Sequence, residues 1–185
     1  MRWSLVVVLL AAPAWAGEFV IEAGSGFLTT FTGFPGLTID GAIEGRIALA
    51  HGGSIDLRAR FFGKPAFGYD IPGVGHTATV RYRTPRLGSD TVDFTLAAGG
   101  GLFIWFGATG GDVLIPWPGG AVELSPTLNV TVSKAVRFFI AVNIGLNVLV
   151  NGYGFFTAGL GLGFSFDLTK SHAPPVNETV VIPSP

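Results

Sequence analysis

The feature that most constrains this chain is an alternation. Eight segments between residues 18 and 168 put apolar side chains at every second position, and that apolar set never includes a charge. Period two is the signature of a strand with two unlike faces. In the segment 18–30, Phe19, Ile21, Ala23 and Phe27 oppose Glu18, Glu22 and Gly24. In 39–50, Ile39, Ile43, Ile47 and Leu49 oppose Asp40, Glu44 and Arg46. In 54–62, Ile55, Leu57, Ala59 and Phe61 oppose Asp56, Arg58 and Arg60. The pattern continues through 76–84, 91–106, 121–132, 136–150 and 154–168, with Arg81, Arg83, Asp93, Glu123, Arg137 and Asp167 on the polar side.

Two architectures carry such a pattern. A soluble sandwich or lipocalin-like barrel turns the apolar face inward, whereas a membrane barrel turns it to lipid and lines its interior with the polar face. Composition chooses between them. Charged residues are 12% of the 185, against 49% hydrophobic, and glutamine is absent. A soluble domain carries about 25% charge. The polar faces are rich in Gly, Ala, Ser and Thr, which suit a crowded lumen, and Lys64, Lys134 and Lys170 all fall in connections or the tail. The chain therefore reads as all-β, an eight-stranded antiparallel up-and-down transmembrane β-barrel. A net charge of −1 provides no basic field for nucleic acid. No cysteine is present, which excludes disulfides and a thiol nucleophile.

The N-terminus reads as an export signal. Arg2 precedes an apolar run, Ser4 to Ala12, then Pro13 and the small-x-small site Ala14-Trp15-Ala16. The run is about half of what a spanning helix needs. The expected organisation is a signal peptide over 1–16, a barrel over 17–168 and a disordered periplasmic tail over 169–185. With a periplasmic N-terminus, the inner connections are the short ones, 51–53, 85–89 and 133–135. The outer ones are 31–38, 63–75, 107–120 and the tight 151–153. Short periplasmic turns and longer outer loops fit this class. Outward aromatics fall near both ends of the strands, among them Phe19, Phe138 and Phe164 at one end and Phe27, Phe61 and Phe156 at the other.

The chain resembles the small eight-stranded outer-membrane barrels of Gram-negative bacteria, of the OmpA-barrel, OmpX and OmpW type. The resemblance lies in pattern over 17–168 and in the last strand, where Gly161, Phe164 and Phe166 match that family's assembly signal. It implies an outer-membrane location, outer-membrane lipid and lipopolysaccharide around the barrel, and the barrel assembly machinery as a partner. Two departures stand out. The chain continues past the last strand, and Pro126 sits mid-strand, where a proline marks a bulge or an edge.

Inward charges must pair, because an unpaired charge in a narrow lumen is very costly. Turn lengths suggest that Glu44 faces Arg60, Arg46 faces Arg58, Arg81 faces Asp93, and Arg137 faces Asp167. The expected lumen network is Glu22, Glu44, Arg46, Asp56, Arg58, Arg60, Arg81, Asp93, Arg137 and Asp167. A bland role is filling and rigidifying. A sharper one is a gate in which ion pairs swap partners. The glycines at 99–101, 159, 161 and 163 are read as room for bulky lumen neighbours such as Phe103, Trp105 and Phe139.

Catalytic chemistry finds little support. Only His76 lies near the outer rim, with Asp70 and Asp112 within possible reach and no serine placed beside it. No cofactor or metal site is expected. The loops expose Phe67, Tyr69 and Trp117, candidates for a binding surface or a lid. The expected function is a non-enzymatic barrel with a structural or surface-interaction role. The alternatives are a narrow gated conduit for ions or a small solute, and a lipid-modifying enzyme.

Overall fold

A computed structural model describes residues 17–30, 36–63, 73–108 and 114–169. The expectations that fall on 1–16 and 170–185, and on Phe67, Tyr69, Asp70 and Asp112, lie outside those residues.

The alternating segments form long antiparallel strands. They are β1 (Glu18–Thr30), β2 (Gly36–Ala48), β3 (Ser54–Gly63), β4 (Gly73–Arg83), β6 (Val92–Ala108), β7 (Leu114–Thr131), β8 (Val136–Leu149) and β9 (Gly154–Asp167). β5 is a two-residue ladder, Leu87–Gly88, inside the connection between β4 and β6. Each long strand pairs with the next in sequence, β4 pairs with β6, and β9 pairs with β1. The sheet is thus a closed eight-stranded barrel, and no long strand is left with a free edge.

Following the ladder once around gives the geometry. Glu18 pairs with Arg46, then in turn Asp56, Arg81, Gly99, Glu123, Gly145 and Thr157, and Thr157 pairs with Leu28. The path returns to β1 ten residues further along. That stagger inclines eight strands at about 40° to the barrel axis, leaving room for side chains only. Burial is inverted relative to a soluble domain. Arg58, Arg81, Glu44 and Asp56 are buried, while Ile39, Leu102, Leu160 and Phe27 stand on the outside with more than half their surface exposed.

The turns correct the expected register. The 50–52 loop is closed by the Leu49 N–H donating to the Gly53 carbonyl at 2.8 Å, and Gly52 has φ +84°. A three-residue loop needs its left-handed residue in third place, so the loop is Ala50–Gly52, not 51–53. One residue of loop position is two of register. Glu44 therefore faces Arg58, and Arg46 faces Asp56. The β8–β9 hairpin repeats the case. Gly152 has φ +87°, and Arg137 faces Ser165 rather than Asp167. The β4–β6 connection is longer than expected, and Arg81 faces Gly99 rather than Asp93. A Cβ built on Gly152 meets nothing within 4 Å, so the cost of Gly152→Ala is backbone alone. We expect a loss of about 1 kcal/mol, read as a lower urea midpoint of the refolded barrel, with Gly152→Asn losing less.

Three of the four outer connections, all but the one between β8 and β9, are shorter than expected because the strands run further. β7 begins at Leu114, taking in Pro116, Trp117 and Pro118. The Val150 N–H donates to the Pro118 carbonyl, so Pro118 turns its nitrogen towards the β8 side. The β7–β8 ladder reaches only Gly119–Leu149 there, and the missing N–H groups cost little. Pro126 also lies on that side. It keeps its pairing with Leu96, and the β7–β8 register is the same before and after it, so no bulge forms. The Ser125 hydroxyl donates to Asn143 Oδ1 at 2.9 Å beside the interrupted ladder.

Candidate functional site

The lumen is layered, and β3 alone shows it. Its inward residues run Asp56, Arg58, Arg60, Phe62 from the end that carries Gly17 to the end that carries the longer loops. Charge fills the first part and aromatic rings fill the last.

The charged layer turns on Glu44. Its carboxylate accepts from Arg46 Nε at 2.5 Å, from Arg83 at 3.1 Å and from Arg81, with Arg58 at 3.6 Å. Arg58 donates to both oxygens of Glu22, at 3.0 and 3.1 Å. Asn143 bridges this pair, donating to Glu22 and accepting from Arg58 at 3.3 Å. Asp56 accepts from Arg83 at 2.8 Å and from Ser54 at 2.6 Å. Arg60 donates to Asp40 at 2.6 Å. Glu123 accepts from Thr77 at 2.8 Å and Thr79 at 3.1 Å and lies within 4.0 Å of Arg58, Arg60 and Arg81.

Five arginines and six carboxylates are buried among the described residues. Near-balance is what makes such a layer tolerable, since each desolvated charge needs a partner. The strands put opposite charges side by side, because the path around the ladder reads Glu18, Arg46, Asp56, Arg81. Small residues open the space. A Cβ on Gly99 would lie 2.9 Å from Arg81 Cγ, and one on Gly163 would lie 2.6 Å from the Phe139 ring.

The structure brings some of the expected residues together and leaves others apart. Glu22, Glu44, Arg46, Asp56, Arg58, Arg60 and Arg81 meet as one cluster. Asp93 sits lower, accepting from Asn129 at 2.7 Å with Arg86 at 4.0 Å. Arg137 lies 3.6 Å from Glu18, and Asp167 accepts from Thr169 at the same rim. Asp40, Arg83 and Glu123 are members the sequence reading left out. Their position on the polar alternation was the available signal, but their partners come from other strands. Below the cluster a cavity of about 410 Å³ opens at the terminus-bearing end, lined by Arg46, Arg83, Arg86, Arg137, Glu18 and Asn129 among others.

The aromatic layer is a plug. Phe62 and Phe103 stack with centroids 6.0 Å apart, Trp105 and Phe155 at 4.9 Å, and Phe103 meets Phe155 edge-on at 5.8 Å. Leu28, Ala121 and Leu149 complete it. The Arg60 guanidinium lies 5.1 Å above the Phe62 ring and joins the two layers. Phe62 and Phe155 were not foreseen here. Each sits in a double phenylalanine, where the alternation alone assigns only one ring to each face. Trp117 belongs to β7 and packs against this plug, which corrects its placement on a loop.

His76 lies on the outward-facing side of β4, edge-on to Phe106 at 5.5 Å. On β9, Gly161 faces inward, with Phe164 and Phe166 on the outer face, and Phe164 meets Phe138 at 5.6 Å.

No family model matches the sequence, and no curated protein does. Solved structures do. The crystal structure of Neisserial surface protein A (NspA) superposes with a TM-score of 0.71 at 9% identity, covering 82% of this chain and 97% of that one. This chain has the fold of a small outer-membrane barrel. The N-terminal β-barrel domain of Pseudomonas aeruginosa OprF is similar at a TM-score of 0.50 and 17% identity, over 82% of this chain and 98% of that one.

Proposed function

We propose that this protein is a non-enzymatic barrel of the outer membrane. Its work is done by its outer surface and loops rather than by catalysis or flow through the lumen. The observation that carries this reading is the inverted burial. Paired charges fill the inside, and the outside is a continuous apolar belt over all eight long strands. Lipid and lipopolysaccharide would cover that belt, and Gly161, Phe164 and Phe166 would be read by the barrel assembly machinery. Both termini would face the periplasm. The likeness to a surface protein supports an exposed loop end.

The test is gel mobility of the chain from Gly17, refolded in detergent and loaded cold or boiled. The expected result is a mobility difference with protease resistance in the cold sample. A monomer soluble without detergent and showing no shift would overturn the reading. The same refolded chain in planar bilayers is expected to be electrically silent, because an eight-stranded interior is closed by its own side chains. Resolvable current steps would favour a conduit instead.

A further inference from the structure

We propose that the two lumen layers do different jobs. The charged layer is wet and open to the terminus-bearing side, and the aromatic plug alone seals the barrel against water and small inorganic ions. This rests on the closed-barrel reading above. It differs from a gate of swapping ion pairs, because the charges here are not the seal.

The argument begins with polar atoms that have no hydrogen-bond partner. Among the described residues these include Arg81 Nε, Arg58 Nε, Arg60 Nε, Asp40 Oδ1 and both amide atoms of Asn147. Arg81, Arg58, Arg60 and Asp40 lie in or beside the charged cluster, whereas Asn147 pairs with Ala121 and Phe155 of the plug. The four atoms in the charged layer lie between the cavity at the terminus-bearing end and the rings. Buried polar atoms without a protein partner are ordinarily met by water, and a water needs two to four polar partners, which the charged layer supplies. The cavity of about 410 Å³ lined by Arg46, Arg83 and Asn129 connects the same cluster to the outside.

Above the cluster the lumen side chains turn aromatic. Phe62, Phe103 and Phe155 carry no hydrogen-bonding group on their side chains, and all three are at most 3% exposed. A ring of apolar side chains at such a constriction excludes water and, with it, ions. Arg60 marks the boundary, with its guanidinium donating to Asp40 on one side and resting on Phe62 on the other.

The chain contains no cysteine, so one introduced thiol is unique. Ser125→Cys places it in the charged layer and Ala121→Cys places it in the plug. Silver ion is the probe, added to the detergent-folded barrel. Ser125→Cys is expected to react at least tenfold faster than Ala121→Cys. Equal, slow reaction at both would mean a dry charged layer and would overturn the proposal. The second arm is the pair Trp105→Ala with Phe155→Ala, checked for the folded gel mobility. It is expected to pass potassium chloride current in planar bilayers where the parent chain is silent. A folded but silent variant would place the seal among the charges and overturn the proposal. If the pair does not fold, the silver rates decide alone. Current from the parent chain would instead count against the closed-barrel reading.

Discussion

Replacing Glu44 by alanine is expected to lower the stability of the refolded barrel by about 3–5 kcal/mol, the cost of stripping a buried charge cluster of one partner. Glu44 is the carboxylate shared by Arg46, Arg81 and Arg83, with Arg58 close by. Without it, Arg81, fully buried, retains Asp56 at 3.7 Å and Glu123 at 3.9 Å, neither a hydrogen bond. The guanidiniums of Arg46, Arg81 and Arg83 then lose their common partner at one place in a narrow lumen ringed by strands, although carboxylates and arginines stay balanced overall. Urea titration read by loss of the folded gel band measures the loss. The second arm separates charge from packing. Glu44→Met combined with Arg81→Met removes both partners, and it should lose less than the sum of the two single changes, because no lone charge is created between them. An additive result would show that the two side chains act independently, contrary to the contacts described.

The second large effect lies on the outside. Leu160 points away from the lumen and is 58% exposed. On a water-facing surface, Leu160→Arg would change stability by about 0.5 kcal/mol or less. Facing the middle of a bilayer, it should cost about 2–4 kcal/mol. The same change at Val150, 79% exposed in the hairpin loop, should cost little. Refolding into lipid vesicles followed by urea titration distinguishes the two positions. Equal small effects at both would remove lipid from around the belt.

Much of the fold was legible because the barrel is built from local signals. A strand with one charged and one uncharged face shows itself at a spacing of two, and hairpins join neighbours, so the eight long strands pair in chain order. The bounds of β1, Glu18–Thr30, follow directly. The register was not legible. It depended on whether Gly52 or Gly53 took the left-handed place, and two adjacent glycines look alike in a sequence. At the other end, Pro116 and Pro118 look like breakers. They extend a strand because their nitrogens face the side where the ladder of β8 has ended.

The candidate site followed the same division. That Glu22, Glu44 and the arginines of β3 and β4 share the inner face was legible from sequence parity. That Glu44 is the hub, and that Asp40, Arg83 and Glu123 join it, was not. The reason is the stagger of ten residues around the barrel, which brings Glu22 of β1 against Arg58 of β3 with another strand between them. The plug is the sharpest case. Phe61 and Phe62 differ only in parity, yet one stands on the belt at 51% exposure and the other is wholly enclosed. By itself the sequence determined a closed antiparallel barrel with charge on its inner face, since alternation and composition are local and additive. Only the tertiary structure decided which charges meet and where the rings close the lumen, because both depend on closure of the barrel, a property of all eight strands together.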